Sequence, residues 1–149
     1  MKKITFVIVT ISLLFLFHSN VLAQADNKEI EKIIFAYRDA LNASDVNKVV
    51  SLYTQTGVLL PNAAPTAVGT DQVKGTYQYV FENFKYTLEF TIGEIVVSGN
   101  YAFARSTSRG AFVIKASGQN VPDENRELFV FEKVNGQWKI ARYMYNKSK

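Results

Sequence analysis

The chain contains no cysteine, one histidine and three prolines among 149 residues. The missing thiols exclude a disulfide scaffold and any cysteine nucleophile, and 8 glycines with 3 prolines leave no collagen-like repeat. With 48% hydrophobic and 20% charged residues, disorder is excluded as well. A chain of this size can bury roughly 70% of the surface its unfolded form exposes, so one folded domain needs neither bridges nor a structural metal.

The histidine also drops out of the chemistry once the start of the chain is considered. Lys2 and Lys3 make a basic beginning, residues 4–17 are an uncharged run, and Ala23-Gln24-Ala25 places small residues two apart. That is the three-part layout of a secretory signal peptide over residues 1–25, with cleavage expected after Ala25. The alternative is a retained signal anchor, but the run falls short of the roughly 20 apolar residues that a span requires. His18 lies inside this segment. A mature chain over residues 26–149, secreted or periplasmic and free of the membrane after cleavage, would have neither His nor Cys. Imidazole-dependent triads, thiolate chemistry and ordinary zinc sites are excluded in it, so no metal and no cofactor are expected. Acid-base work falls to Asp, Glu, Tyr or Lys. Without Lys2 and Lys3 there are 15 Lys and Arg against 13 Asp and Glu, a net charge of about +2. No nucleic-acid footprint follows from so small an excess. Asn42-Ala43-Ser44 and Asn146-Lys147-Ser148 are glycosylation sequons that matter only in a eukaryotic secretory route, and Asn42 reads equally as a helix-ending residue.

Periodicity is helical first and strand-like afterwards, which predicts an α+β domain. Asp26 with Glu29 reads as a capping box, and Ile30, Ile33, Ile34, Tyr37 and Leu41 share one face of a helix reaching about residue 42. Ser44 or Asp45 starts a second helix with the stripe Val46, Val49, Val50 and Tyr53, which Gln55-Thr56-Gly57 ends. Residues 58–60 form a short strand, and Pro61-Asn62-Ala63-Ala64-Pro65 is a loop. Thr70 caps a third helix carrying Val73, Tyr77, Val80, Phe81 and Phe84.

From Tyr86 the period is two. Tyr86, Leu88, Phe90 and Ile92 alternate, and Ile95 and Val97 continue on the opposite parity, so Gly93 or Glu94 marks a bulge. Gly99-Asn100 is a two-residue turn into a strand reaching about Lys115, with Arg105 able to pair across it with Glu94. A loop over residues 117–125 precedes the last hairpin, whose Asn135-Gly136 turn suits type I′ geometry. Counting straight back from that turn sets Glu132 against Lys139, Phe131 against Ile140, Phe129 against Arg142 and Glu127 against Met144. One face then holds Phe129, Phe131, Trp138, Ile140 and Met144, and helices must cover it. Arg142 falls on this covered face with Glu127 on the diagonal, either as a structural bridge or as a ligand-facing pair.

Three helices before a curved sheet, with Ala36-Tyr37-Arg38-Asp39-Ala40-Leu41, Ser44-Asp45-Val46, Leu52-Tyr53, Val68-Gly69-Thr70 and Gly136-Gln137-Trp138-Lys139-Ile140 in that order, resemble the nuclear-transport-factor-2-like superfamily. Within it the chain is similar to the SnoaL-like group, which includes SgcJ/EcaC family and ketosteroid-isomerase-like proteins. The likeness covers nearly all of the mature chain. It implies a cone-shaped, cystatin-like fold in which a curved antiparallel sheet packs against three helices around an apolar cavity. It also implies a homodimer through the outer sheet face, here Leu128, Val130, Ala141, Tyr143 and Tyr145. Ketosteroid isomerases place an oxyanion-donating Tyr eight residues before the Asp that opens the second helix, and Tyr37 stands so before Asp45. Their general base precedes a Pro, where this chain has Leu60, which cannot take a proton. Their second acid would fall near Glu127 or Leu128. Tyr37 also reads as an ordinary core tyrosine with a satisfied hydroxyl.

Two readings of function follow. In one, the domain binds a small apolar molecule between Tyr53, Leu60, Phe81, Phe129 and Met144, with Tyr37, Glu127 and Arg142 as polar anchors. In the other, an isomerase- or cyclase-type enzyme acts on a cyclic or polyketide-like substrate, with Glu127 as acid or base and Tyr37 as donor to an oxyanion. A depressed Tyr or a raised Glu pKa in an open cavity would favour the second. A cavity filled by its own side chains would favour a third, a structural dimerisation module. No GxGxxG fingerprint supports an oxidoreductase.

Overall fold

The computed structural model describes residues 24–148, so the expected signal peptide lies almost wholly outside the described residues. Helix α1 occupies 24–43 of them. Its Ile30, Ile34, Tyr37 and Leu41 are buried, as the spacing predicts. Asp26 is not the cap expected of it, because the helix is already formed at residue 24. Its carboxylate turns to the sheet instead, accepting from Trp138 Nε1 at 2.8 Å and Lys133 Nζ at 2.6 Å. Glu29 pairs with Lys32 at 2.7 Å.

Helix α2 (Val46–Ser51) is capped by Asp45, whose side chain accepts the Lys48 N–H at 2.9 Å. It ends earlier than its apolar stripe predicts. Tyr53 opens strand β1 (Tyr53–Leu60), because the Leu52 carbonyl accepts the Ile140 N–H at 2.8 Å and draws the chain into the sheet. Tertiary pairing overrides the local helical period. After β2 (Ala67–Val68), helix α3 spans Gly69–Asn83 and buries Val73, Tyr77 and Phe81. Thr70, the expected cap, sits in the first turn with its hydroxyl turned to the Gln55 carbonyl. The N-terminal tie is Gln72 Oε1, which accepts the Val68 N–H at 2.9 Å.

Four long strands follow: β3 (Phe84–Ser98), β4 (Tyr101–Ile114), β5 (Gln119–Val134) and β6 (Gln137–Lys147). The sheet order is β2-β1-β6-β5-β4-β3, antiparallel except where β1 runs parallel to β6. The predicted bulge between Ile92 and Glu94 is present, with Glu94 paired to Arg105 at 3.0 Å. The predicted loop over 117–125 is instead a turn at 115–118 followed directly by β5. Its strand character was hidden because the inward positions Asp123, Asn125 and Glu127 are polar, so no apolar alternation marks them.

The last hairpin departs from the straight count. Pairing holds through Glu132 with Lys139 and Phe131 with Ile140. It then shifts, so that Val130 pairs with Arg142, Phe129 with Tyr143, Leu128 with Met144 and Glu127 with Tyr145. Ala141 is the extra residue of a β-bulge. A one-residue insertion inverts every side chain beyond it, because the side-chain period is two. Arg142 and Met144, expected inside, therefore face outward, and Tyr143, expected outside, is buried with Ala141. The core beneath the helices is thus Phe129, Phe131, Ile140 and Tyr143 from the sheet against Ile30, Ile34, Val49 and Val73.

Candidate functional site

At the end of the sheet away from the Asn135-Gly136 turn, the helices and strands enclose a cavity of about 590 Å³. Large inward side chains fill the other end, where Phe129, Phe131, Trp138 and Ile140 are buried. At this end β5 carries Glu127, Asn125 and Asp123 in the inward positions that Phe131 and Phe129 take at the other, beside Ser106 and Ser108 of β4, and the smaller β5 side chains leave space. Tyr37 and Leu41 of α1, Tyr77 of α3 and Leu88 of β3 form apolar walls, and Pro61, Asn62 and Pro65 lie along one edge with Tyr79. The shape suits a drug-sized organic molecule.

The polar wall comes from β5. Residues 123, 125 and 127 alternate inward and each is no more than 5% exposed. Ser106 Oγ donates to Glu127 Oε2 at 3.0 Å. Asn125 Nδ2 donates to Ser108 Oγ at 3.2 Å and to Asp123 Oδ2 at 3.1 Å, while Lys147 Nζ pairs with the other Asp123 oxygen. Asn125 Oδ1 is buried with no partner among the described residues. Burial pushes the Glu127 carboxyl up to about 7; hydrogen bonds from Ser108, Ser106 and Tyr143 oppose the rise, and the Asp123 carboxylate adds to it. Glu127 can therefore give or take a proton near neutrality.

Beside it lies a network of tyrosines. Tyr77 shares hydrogen bonds with Tyr37 at 2.8 Å and Tyr53 at 3.0 Å, and the Tyr37 ring stands edge-on to Tyr143 with centroids 5.0 Å apart. Burial holds the Tyr37, Tyr53, Tyr77 and Tyr143 hydroxyls well above the usual phenol range. They stay neutral, and those at the cavity, Tyr37, Tyr77 and Tyr143, can donate to an oxygen on a bound molecule. Three helices over a curved sheet, with a carboxyl and tyrosines at the base of an apolar hollow, can be compared with known proteins. Residues 34–143 match the SnoaL-like domain. The chain belongs to the SnoaL-like domain family.

Solved structures agree with that assignment. The SnoaL-like chain is 36% identical to a ketosteroid isomerase-like protein from Erwinia carotovora atroseptica, with a TM-score of 0.79 over 82% of this chain and 95% of that one. A candidate scytalone dehydratase from Novosphingobium aromaticivorans shares the fold at 19% identity and TM-score 0.73, over 85% and 86% of the two chains. So does a protein from Streptomyces avermitilis named as a candidate dehydratase of the nuclear-transport-factor-2-like family, at 17% identity and TM-score 0.71 over 85% and 98%. Among curated proteins none matches.

Of the residues singled out from the sequence, the SnoaL-like fold brings Tyr37 and Glu127 together at the cavity. Tyr53 reaches it through Tyr77. Phe81 and Phe129 are buried beside it, Phe129 stacked on Tyr143 at 4.3 Å. Leu60, expected to stand where isomerases have their base, is half-buried, and its neighbour Leu59 lines the space instead. Arg142 lies outside, donating to the Thr56 and Ala141 carbonyls, and Met144 is 47% exposed; the Ala141 bulge removes both from the cavity. Asp123, Asn125, Ser106, Ser108, Tyr77, Tyr143 and Lys147 were missed. The parity shared by residues 123, 125 and 127 was the available signal.

Proposed function

We propose that this SnoaL-like protein binds a small, mostly apolar molecule in the cavity between its helices and sheet, as an exported homodimer joined through the outer sheet face. The observation that carries the reading is the open 590 Å³ space, walled by aromatic and aliphatic side chains around two buried carboxyls, one of them paired with Lys147. Hydrophobic walls with few convergent polar groups suit recognition of such a ligand. The test is native mass spectrometry of the full protein expressed in its own host. An apolar adduct released by organic solvent is expected, and a neutral solvatochromic dye should compete for the emptied site. Neither an adduct nor dye uptake would overturn the reading.

A second reading, isomerase-, cyclase- or dehydratase-type chemistry on the bound molecule, is favoured by the Glu127 carboxyl at about 7 beside neutral tyrosine donors. Glu127 would move the proton, and Tyr37 or Tyr143 would donate to the developing oxyanion. The position equivalent to the isomerase base remains Leu60, so Glu127 would have to serve alone as acid and base. Turnover of a cyclic ketone that Glu127→Gln lowers about 100-fold or more would carry this reading. Equal rates in the two chains would end it.

A further inference from the structure

The cavity carries an uneven charge. Of the residues lining it, those with ionic side chains are Asp123, Glu127 and Lys147. Lys147 is engaged twice: its Nζ pairs with Asp123 and lies over the Phe112 ring, 5.6 Å from the centroid. Glu127 forms no ion pair among the described residues, and the groups that hydrogen-bond to it, Ser106 at 3.0 Å with Ser108 and Tyr143, are neutral hydroxyls. Asn125 Oδ1 beside it also lacks a donor. The site is therefore short of positive charge at Glu127, and aromatic rings of the kind that already holds Lys147 stand among its aliphatic walls.

We propose that the molecule taken up is a hydrophobic amine, an apolar ring-sized body whose single ammonium group lies against Glu127 beneath the tyrosine rings. This rests on the small-molecule reading above and adds the sign of the ligand's charge. An ammonium supplies donors to the carboxylate, and ring faces attract it further. At a carboxylate only 4% exposed the Coulomb attraction exceeds its value in solution. A neutral alcohol would leave the carboxylate without a counterion, and a carboxylate ligand would be repelled.

The titratable groups around Glu127 leave this assignment of charge intact. Asp123 on its own strand is neutralised by Lys147 of β6. Tyr143 and Tyr145 of β6, Tyr37 of α1, Tyr77 of α3 and Tyr86 of β3 are all held neutral by burial. From β4 the facing residues are the serines.

The test compares naphthylethylamine, naphthylethanol and naphthylacetate by calorimetry on the full protein, at pH values on either side of the Glu127 titration at about 7. Above that pH the amine should bind about tenfold more tightly than the alcohol, and the acid should bind most weakly. Below it the advantage should shrink, with proton release for the amine and none for the alcohol, seen by comparing buffers of different ionisation enthalpy. In Glu127→Gln the amine-to-alcohol ratio should fall to about one. Alcohol binding with no amine preference, or a preference that survives Glu127→Gln, overturns the amine assignment and leaves the pocket standing. Failure of all three ligands to bind, together with failure to take up the neutral dye, overturns both.

Discussion

At Glu127 burial acts on the folded chain alone, which makes its titration a stability term. The folded value of about 7 lies above the ordinary 4.5, so the native state holds this proton more tightly than the unfolded chain does. The contribution is fully present below the unfolded value and is lost as pH rises from about 4.5 to about 7, by roughly 3 kcal/mol. Urea unfolding across that window should show the native chain losing stability relative to Glu127→Gln, which has no such proton to lose. Parallel curves would assign the slope to other groups. Asp26 shows the opposite direction. Burial alone would raise it, but hydrogen bonds from Lys133 and Trp138, with the Lys133 charge, bring it below the usual carboxylate range. Asp26→Ala should cost about 1–3 kcal/mol, because it strands the Trp138 N–H in a residue that is 5% exposed. In a Trp138→Phe background the same change should cost clearly less.

The last hairpin shows at the scale of one element what a sequence can and cannot convey. Asn135-Gly136 is legible because type I′ geometry needs positive φ at both positions, and φ is 50° and 78° there. The bulge five residues later is not legible, because Ala141 has no conformational signature of its own. It is revealed only by which side chains the rest of the fold can cover. The Ile92/Glu94 bulge could be read because apolar residues change parity there. At Ala141 both parities, Arg142-Met144 and Tyr143-Tyr145, contain side chains that suit a half-buried face, so the straight register looked equally good. The cost was one of three expected polar anchors: Arg142, with Tyr143 in its place. Deleting Ala141 tests this directly. It should remove the bulge while keeping Val130 against Arg142 and Phe129 against Tyr143, so cooperative unfolding and the near-ultraviolet circular dichroism should survive. A deletion that loses both would mean that the extra residue does more than set the register. Gly110→Ala tests the neighbouring strands, since a Cβ there would run into the Thr87 carbonyl oxygen. Overpacking of this kind costs about 1–3 kcal/mol.

Over the whole molecule, the helix order and the antiparallel meander were legible because apolar periodicity records which faces are covered. The cavity was less so, since it arises where serines and polar β5 residues replace apolar ones, a pattern that resembles loop. The same parity argument applies to the outer face. The Ala141 bulge removes Ala141, Tyr143 and Tyr145 from the apolar surface expected there, Tyr145 turning to the cavity, and adds Met144. Across the paired strands Val96, Phe103 and Val130 make one outward row, and Arg105, Leu128 and Met144 make the next. Phe103 and Leu128 are adjacent at the centre and are 38% and 37% exposed. In the proposed dimer this patch is the contact, and a two-fold axis would set the same residues of each copy against one another. Phe103→Glu and Leu128→Glu should each bring the mass measured by light scattering down to that of one chain. Because both side chains already meet solvent in a single copy, the melting temperature at high dilution should shift little. A native protein that runs as a monomer, or variants that keep the dimer mass, would move the contact to another face and leave these rows a solvated surface.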